Sequence, residues 1–288
     1  MKYVDGFRAP AGIRKVAKEL AEACHHPWKI MEICGGQTHA IARYAIDDLL
    51  PEGLQLVHGP GCPVCVNPLE KIAAAHVLSL RPDVILCSFG DMLRVPGPEG
   101  DLLSARAKGA DVRVVLSPLD AVELARAHPE RKVVFFAVGF ETTAPASAMA
   151  ADVARRLGLS NFSLLVAHVR VPPAMELLLS APGNEIQGFL AAGHVCTVTG
   201  TREYPALATR FGVPIVVTGF EPVDILLGLL EAVTQLEEGR AEVVNRYRRA
   251  VQSEGNAAAQ SMVDRVFEAA DLPWRGLGVV PRGGLRLR

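Results

Sequence analysis

Residues 54–68, LQLVHGPGCPVCVNP, join a short apolar run to a turn built from glycine, proline and two cysteines. The run has the length and composition of a buried strand, and the Gly-Pro-Gly that follows ends it. In Cys62-Pro63-Val64-Cys65 the spacing brings both sulfurs to one face of the turn, close enough to form a disulfide or to hold one metal ion. We therefore expect redox or metal chemistry at the end of a strand.

A second thiol turn lies upstream, at residues 31–40, MEICGGQTHA. Cys34 ends another apolar run, and the two glycines after it let the backbone approach whatever the sulfur holds. The thiolate of Cys34 is a soft metal ligand, with Gln37 and His39 in reach on the same turn. The alternative is a buried cysteine at a strand end, but the glycines and the second thiol turn favour a functional role. We expect the two turns to face one another.

Apolar runs of this kind recur along the chain, and each is followed by a longer segment with helical spacing. They predict eight strands, at residues 29–34, 54–58, 84–89, 112–117, 133–138, 162–169, 194–198 and 215–218. A helix is predicted before them, at residues 8–25. The nearly continuous Val, Ile, Leu and Phe composition is typical of strands buried on both faces, and intervening helices indicate parallel pairing. The predicted fold class is therefore α/β.

Features of the first four runs recur in the last four. The Pro-x-Asp that follows a strand at Pro118 returns at Pro222, and the turn at Cys34 has a counterpart at Gly139. These repeats predict two similar α/β domains with parallel sheets, related by a pseudo-twofold and facing a central cleft. The predicted boundaries are 1–122 for the first domain with the thiol turns, 123–230 for the second, and 231–288 for a C-terminal helical cover and tail.

Ligands of open α/β sheets bind beyond the carboxyl ends of the strands, and the unusual turns of this chain lie there. The turn at Asp91, the turn at residues 141–143 and His168 would join the two thiol turns in that cleft. Each has an ordinary alternative. Asp91 also fits a simple turn, Glu141 a helix N-terminus with threonine caps, and His168 a hydrogen-bonded core histidine. For His194, as for His168, a core role and a functional role both stay open.

For the Cys62/Cys65 pair, redox chemistry is favoured over structural zinc. The helix expected from Pro68 would lower the pKa of a nearby thiol through its dipole. A closed zinc site needs four ligands, which would have to include side chains such as Cys34, His39 or His58 from other strand ends. The remaining cysteines stand singly in apolar surroundings and are expected to be small buried residues: Cys24, Cys87 and Cys196.

Composition excludes several classes of protein. The chain has 288 residues, with 30 basic and 31 acidic side chains and a formal charge of −1, so nucleic acid is not expected as a partner. No signal peptide or spanning helix is apparent, which predicts a cytoplasmic protein without a membrane partner. No P-loop, G-x-G-x-x-G, G-x-S-x-G or H-E-x-x-H motif supports nucleotide binding or the commonest hydrolases.

Taken together, ten motifs resemble the hydrogenase maturation factor HypD family, in the same order and across nearly the whole chain. They are MEICGGQTHA, HGPGCPVCV, CSFGDMLRVPG, GADVRVVLSPLDA, FFAVGFETTAP, VPPAM, GTREYP, VVTGFEPVDIL, SEGNAAAQ and WRGLG. The resemblance implies a scaffold that, with a HypC-type small chaperone and HypE, holds iron while the Fe(CN)2CO unit of [NiFe]-hydrogenase is assembled. Such a protein is an accessory scaffold with redox-active thiols rather than a conventional turnover enzyme.

By position in the motifs, the resemblance assigns roles to individual residues. Cys34 corresponds to the iron-carrying cysteine and Cys62 with Cys65 to the redox-active pair. The Gly-Phe-Glu-Thr-Thr turn is matched by Glu141, Thr142 and Thr143, which with His168 would support the cleft. The candidate cofactor-binding residues are Gly35, Gly36, Gln37, His39 and Asp91.

The chain departs from the family pattern in two places. Gln37 stands where the family commonly has histidine, which leaves His39 as the nearby imidazole. Family members also continue past WRGLG into a cysteine-rich segment that ligates a [4Fe–4S] cluster, and this sequence ends at Arg288 without one. Two further hypotheses therefore stay open beside the iron scaffold: a free-standing CxxC thiol–disulfide oxidoreductase, and a shortened, inactive member of the family.

Overall fold

The structure is a computed structural model, and it describes residues 4–288. Most of its strands are short, and those in the middle of the sheets are largely buried. They are β1 (Trp28–Glu32), β2 (Leu54–His58), β3 (Val84–Ser88), β4 (Val112–Val114), β5 (Lys132–Gly139), β6 (Phe162–His168), β7 (Gly188–Ala192), β8 (Ile215–Thr218), β9 (Val243–Asn245), β10 (Phe267–Trp274) and β11 (Gly278–Leu287).

Helices connect these strands. They are α1 (Asp5–Arg8), α2 (Pro10–Ala23), α3 (Gly35–Arg43), α4 (Leu69–Ser79), α5 (Leu102–Ala107), α6 (Pro118–Ala127), α7 (Ala144–Arg156), α8 (Val171–Leu179), α9 (Gly193–Thr199), α10 (Tyr204–Phe211), α11 (Pro222–Glu237) and α12 (Ala257–Val266), with 3₁₀ turns at Ile46–Leu49 and Met92–Arg94. Two of them begin with Ser117 or Glu221 as the capping residue before a proline, which explains why a Pro-x-Asp follows both β4 and β8.

The strands form two parallel sheets, as predicted. One has the order β2-β1-β7-β8-β9 and the other β4-β3-β5-β6, and every neighbouring pair in them is parallel. In the second sheet the adjacent residues Phe135 and Phe136 point to opposite faces, and each is fully buried in a separate apolar cluster. Strands buried on both faces explain the continuous apolar runs in the sequence.

The chain divides into two compact units, one around each sheet, and both are discontinuous in sequence. One unit comprises Met1–Cys62 with Met175–Ala257, and the other comprises Pro63–Ala174 with Ala258–Arg288. The sequence instead predicts consecutive domains with boundaries at residues 122 and 230. The first three residues of the predicted first domain lie outside the described range. The difference arises because β7 pairs with β1, so the chain returns to the first sheet after completing the second.

One predicted strand is wrong. Residues 194–198 lie in α9, and the strand is the preceding Gly188–Ala192, which is buried along its whole length between β1 and β8. Gly193 ends this strand where the backbone passes close to its neighbours, since a Cβ there would lie 2.5 Å from the Tyr247 ring. The shift places His194 in the first turn of a helix instead of at the start of a strand.

The C-terminal part is only partly the expected helical cover. Helix α12 is present, but residues 243–245 form the edge strand β9. Strands β10 and β11 then form an antiparallel hairpin, and Gly284 in β11 bridges Val169 just beyond β6. Neither strand of this hairpin alternates regularly between buried and exposed residues, and a helix precedes the hairpin while glycines interrupt it, so the sequence predicts a helix and an irregular tail here instead.

Candidate functional site

Cys34 lies where β1 ends and α3 begins. It is the N-cap residue of α3, and its carbonyl accepts hydrogen bonds from the N–H groups of Gln37 and Thr38 at 2.9 and 3.0 Å. Its side chain is 3% exposed. The thiol therefore sits at the carboxyl end of a strand and at the positive end of a helix, both of which favour bound ligands or negative charge.

His194 faces this sulfur from the neighbouring strand end. Its Nδ1 and Nε2 atoms lie 3.7 and 3.8 Å from the Cys34 Sγ, and its ring packs against Phe220 with centroids 5.0 Å apart. A Cβ at Gly36 would lie 3.2 Å from the Phe220 ring and 3.5 Å from the sulfur, so the glycine after Cys34 makes room for this packing. Sulfur, imidazole and phenyl ring form one partly buried pocket.

Burial dominates the electrostatics of the pocket. It raises the pKa of the Cys34 thiol to about 11, although the backbone amides of Gln37 and Gly36 at the start of α3 act in the opposite direction. Burial also lowers the pKa of His194. Without a bound cation both groups are therefore neutral near pH 7, and a metal ion that binds the sulfur has to displace its proton.

The carboxylate of Glu32 lies beneath the Cys34 turn and is fully buried. Its Oε2 atom accepts the Cys34 N–H at 2.8 Å, and its Oε1 atom accepts the Thr38 hydroxyl and, at 2.8 Å, His58 Nδ1. Sequence analysis did not single out Glu32. The available signal was an acidic residue at the end of an apolar strand, a place where a carboxylate needs several hydrogen-bond donors.

The two thiol turns meet, as expected, at Cys34 and Cys62. The N–H of Gly35 donates to the carbonyl of Gly61 at 2.8 Å, and a Cβ at Gly35 would lie 4.0 Å from the Cys62 Cβ. Gly61 has to be glycine for this approach, since a Cβ there would lie 2.5 Å from the Cys34 Cα. Residues far apart in the sequence thus become neighbours because β1 and β2 are adjacent and parallel.

Cys62 and Cys65 are disulfide-bonded, whereas Cys24, Cys34, Cys87 and Cys196 belong to no disulfide. Cys62 is half-buried and Cys65 is exposed. Helix α4 begins at Leu69 with Pro68 as its N-cap, where the sequence predicted it. Neither sulfur belongs to its first turn.

The other candidates around Cys34 differ in orientation. Gln37 is fully buried, and its Nε2 donates to the carbonyl of Ala191 at 3.2 Å and to the Thr218 hydroxyl at 2.6 Å, so it ties α3 to two neighbouring strands. His39 is exposed one turn along the helix. The imidazole near the sulfur is therefore that of His194, for which the sequence left both a core role and a functional role open.

Glu141, Thr142 and Thr143 follow β5 in the other unit. The Glu141 Oε1 atom accepts the N–H of Val171 at 2.9 Å, and the Thr143 hydroxyl donates to the carbonyl of Phe140 at 3.2 Å. Thr143 precedes α7 without a side-chain cap, and Thr142 is half-buried. These contacts hold the turn after β5 against the turn after β6.

His168 and Asp91 belong to the same unit as Glu141. His168 is fully buried with its Nδ1 atom 3.3 Å from the carbonyl of Gly139, and burial lowers its pKa to about 4. Asp91 is exposed and accepts the Met92 N–H at 2.9 Å, which is the simple turn of the alternative interpretation. That these residues share one cleft with Cys34 stays a prediction.

Comparison with known proteins then identifies the family. The HypD family model, described as "Hydrogenase formation hypA family", matches residues 11–288. The chain belongs to the HypD family. The expected resemblance is thereby confirmed, and the two thiol turns lie within the part of the chain that the HypD model matches.

Curated relatives agree with this family. The hydrogenase expression/formation protein HupD of Azotobacter chroococcum mcd 1 is 48% identical over 297 residues, which cover 100% of this chain and 78% of that protein. The hydrogenase maturation factor HypD of Escherichia coli (strain K12) is 45% identical over 295 residues, covering 100% and 79%. Within residues 4–288, no helix combines the length and the hydropathy needed to cross a bilayer.

Proposed function

We propose that this chain holds iron at Cys34 while the Fe(CN)2CO unit of [NiFe]-hydrogenase is assembled, together with a HypC-type chaperone and HypE. Membership of the HypD family supports the process. The observation that supports Cys34 as the iron-binding residue is that its sulfur faces His194 at the carboxyl ends of β1 and β7. Iron is the cargo in this proposal rather than a resident cofactor.

The chemistry of the pocket suits a soft metal–thiolate bond. A thiolate with one imidazole nearby leaves most positions around an iron ion open to small ligands or to a partner's side chain. The amides at the start of α3 point toward the sulfur and stabilise its negative charge, while burial disfavours the thiolate when no cation is bound. The free thiol is therefore protected from adventitious oxidation and becomes a thiolate when the metal arrives.

The Cys62–Cys65 pair would supply electrons to the assembly. Its reduced form gives up two electrons and two protons as the disulfide closes, and a dithiol reductant is required to open it again. Because Gly61 contacts the Cys34 turn, this exchange would occur next to the metal-binding thiol.

The [4Fe–4S] cluster that the resemblance implies takes four thiolate ligands. Within residues 4–288, no three His, Cys, Asp or Glu side chains are grouped closely enough to hold a metal ion. The residues present therefore do not fit such a cluster, and no step of the proposal depends on it.

Infrared spectroscopy of the chain purified with a HypC-type partner tests the proposal. We expect cyanide and carbonyl bands from the complex, and their loss in Cys34→Ala. Cys87→Ala is the matched control because Cys87 is also a free, buried cysteine. Bands that persist in Cys34→Ala would refute the assignment of the iron to this sulfur.

The disulfide of Cys62 and Cys65 also supports a second candidate, a free-standing thiol–disulfide oxidoreductase. Such an enzyme would turn over a dithiol substrate without any partner and would lose that activity on Cys62→Ser. We expect the isolated chain to show no such turnover, since the iron scaffold needs its partners. Sustained turnover by the isolated chain would favour the second candidate.

A further inference from the structure

Glu32 is the point where three separate pieces of one unit meet. Its carboxylate has no exposed surface, and its hydrogen-bond donors come from the Cys34 backbone, the first turn of α3 at Thr38, and the end of β2 at His58. The backbone repeats the connection, because the N–H of Gly59 donates to the Glu32 carbonyl at 2.8 Å. No other acidic side chain among residues 4–288 is fully buried.

Packing alone does not explain why a carboxylate is buried at this position. A buried carboxylate is costly unless donors surround it, and an apolar residue would fill the same space without that cost. Two of the donors lead directly to the thiol turns: Cys34 carries one sulfur, and His58 begins the His-Gly-Pro-Gly segment that ends at Cys62. The carboxylate therefore links the two turns through its two oxygens.

We propose that Glu32 is a positioning residue that fixes the Cys34 turn against the turn leading to Cys62. It does not touch the sulfur, and it acts through the Cys34 amide on one oxygen and through Thr38 and His58 on the other. The inference deepens the proposed function and rests on it for its purpose, since a thiol that receives iron has to be held in one orientation.

Glutamate at this position accepts hydrogen bonds from three donors at once. Both carboxylate oxygens accept, whereas a glutamine offers a single acceptor. Its NH2 group would either face the Cys34 amide, donor to donor, or would require the Thr38 hydroxyl to rotate and His58 to change tautomer so that both accept. Aspartate is one methylene shorter and cannot keep all three contacts. Glu32→Gln is accordingly the informative variant because it keeps the volume and removes the second acceptor.

The experiment measures alkylation of individual cysteines by iodoacetamide in the folded, disulfide-intact chain, using peptide mass spectrometry. In Glu32→Gln we expect Cys34 to react at least about tenfold faster than in the wild type, which corresponds to about 1.4 kcal/mol, the scale of one hydrogen bond to a charged group. Cys196 is the internal reference, since it is a fully buried cysteine thiol of the same unit that belongs to no disulfide. General loosening would accelerate both cysteines, whereas loss of positioning accelerates Cys34 alone.

Gln235→Leu is the matched control variant. Gln235 is a fully buried polar residue of the same unit that accepts the Glu242 N–H at 2.8 Å, away from both thiol turns. It should leave the Cys34 rate unchanged. If Glu32→Gln changes the Cys34 rate no more than the Cys196 rate, the inference is overturned. Should Glu32→Gln not fold, Thr38→Val combined with His58→Ala removes the donors of one oxygen, and the same comparison decides.

A parallel titration of the wild type with Co²⁺ separates this inference from the proposed function. Thiolate-to-cobalt absorption that disappears in Cys34→Ser supports a metal site at Cys34. Its absence in the wild type would contradict the proposed function, and the alkylation rates would still decide the role of Glu32.

Discussion

The two units place different chemistry at the same position of similar sheets. The first sheet contains the order β2-β1-β7-β8, and the second contains β6-β5-β3-β4, with matching features after matching strands. Glu32 pairs with His58 across β1 and β2, and Gly139 pairs with His168 across β5 and β6. Cys34 lies two residues after Glu32, and Glu141 lies two residues after Gly139, so Cys34 and Glu141 occupy equivalent positions in the two units.

The difference lies in what each strand end holds. In the first unit a buried carboxylate supports a free thiol, and His58 is 46% exposed while it bonds to that carboxylate. In the second unit a carboxylate takes the place of the thiol, and His168 is fully buried against a carbonyl. The same sheet topology places a side chain beyond the end of β1 and of β5. The residue found there differs, so the end of β1 presents a thiol, whereas the end of β5 presents a carboxylate that holds two turns together.

The largest expected effect tests whether only the first strand end binds a metal ion. Cys34→Ser should abolish the thiolate-to-metal absorption of the Co²⁺-loaded chain, because oxygen from a neutral serine is a poor replacement for a soft thiolate. Glu141→Gln, at the equivalent place, should leave that absorption unchanged. Loss of the signal in both variants would mean that the two strand ends act together.

The approach of Gly61 to Cys34 gives the next largest effect. Gly61→Ala should lower the free energy of unfolding by about 3 kcal/mol, the upper end for overpacking, since the new Cβ would meet backbone rather than a movable side chain. The equivalent residue of the second unit is Val171, which already carries a Cβ. Chemical denaturation measures the loss, with Gly6→Ala as the control because no atom lies within 4 Å of a Cβ there. Equal stability of the two variants would contradict the close approach.

Much of this comparison was accessible from the sequence. The continuous apolar runs predicted parallel strands buried on both faces, and the repeated Pro-x-Asp pointed to equivalent strand–helix units at Pro118 and Pro222. The thiol turns could be placed at strand ends because glycine and proline end the runs at Cys34 and Cys62. Features of this kind can be predicted because they depend only on residues that are consecutive in the sequence.

Long-range pairing was not accessible. Nothing near Ile30 indicates that Gly188 is its partner, so the repeats suggest two domains in chain order, although the first sheet is completed only after the second sheet. For the same reason the sequence does not decide between a core role and a functional role for His194. Its contact with Cys34 depends on β7 lying beside β1, which becomes visible only when the sheet is assembled.

The buried histidine of the second unit predicts a dependence of stability on pH. The folded pKa of His168, about 4, lies below the ordinary value of 6.5, so the unfolded chain binds the proton first as the pH falls. The free energy of unfolding should therefore decrease between about pH 6.5 and pH 4, by up to about 3 kcal/mol from this residue. Denaturation at several pH values should show a shallower decrease in His168→Asn.

The control for this prediction is a variant that alters a neighbour of His168 but keeps the His168 imidazole. Phe267 packs edge-on against His168 with ring centroids 5.8 Å apart, so Phe267→Leu should lower stability without removing the pH dependence. A His168→Asn variant with the same slope as the wild type would show that other groups cause the acid destabilisation.

The smallest effect compares the two repeated helix starts. In the second unit Ser117 Oγ accepts the Leu119 N–H at 3.2 Å while Asp120 accepts the Ser117 N–H at 2.9 Å, so Ser117→Ala should cost about 1 kcal/mol. In the first unit Glu221 takes the place of Ser117 and also accepts hydrogen bonds from Arg8, which ties α1 to the start of α11. Glu221→Ala should therefore cost more than Ser117→Ala in chemical denaturation, because it removes a contact between two elements as well as a cap. Equal losses would show that the two starts are interchangeable and that the ion pair with Arg8 adds nothing to the stability of its unit.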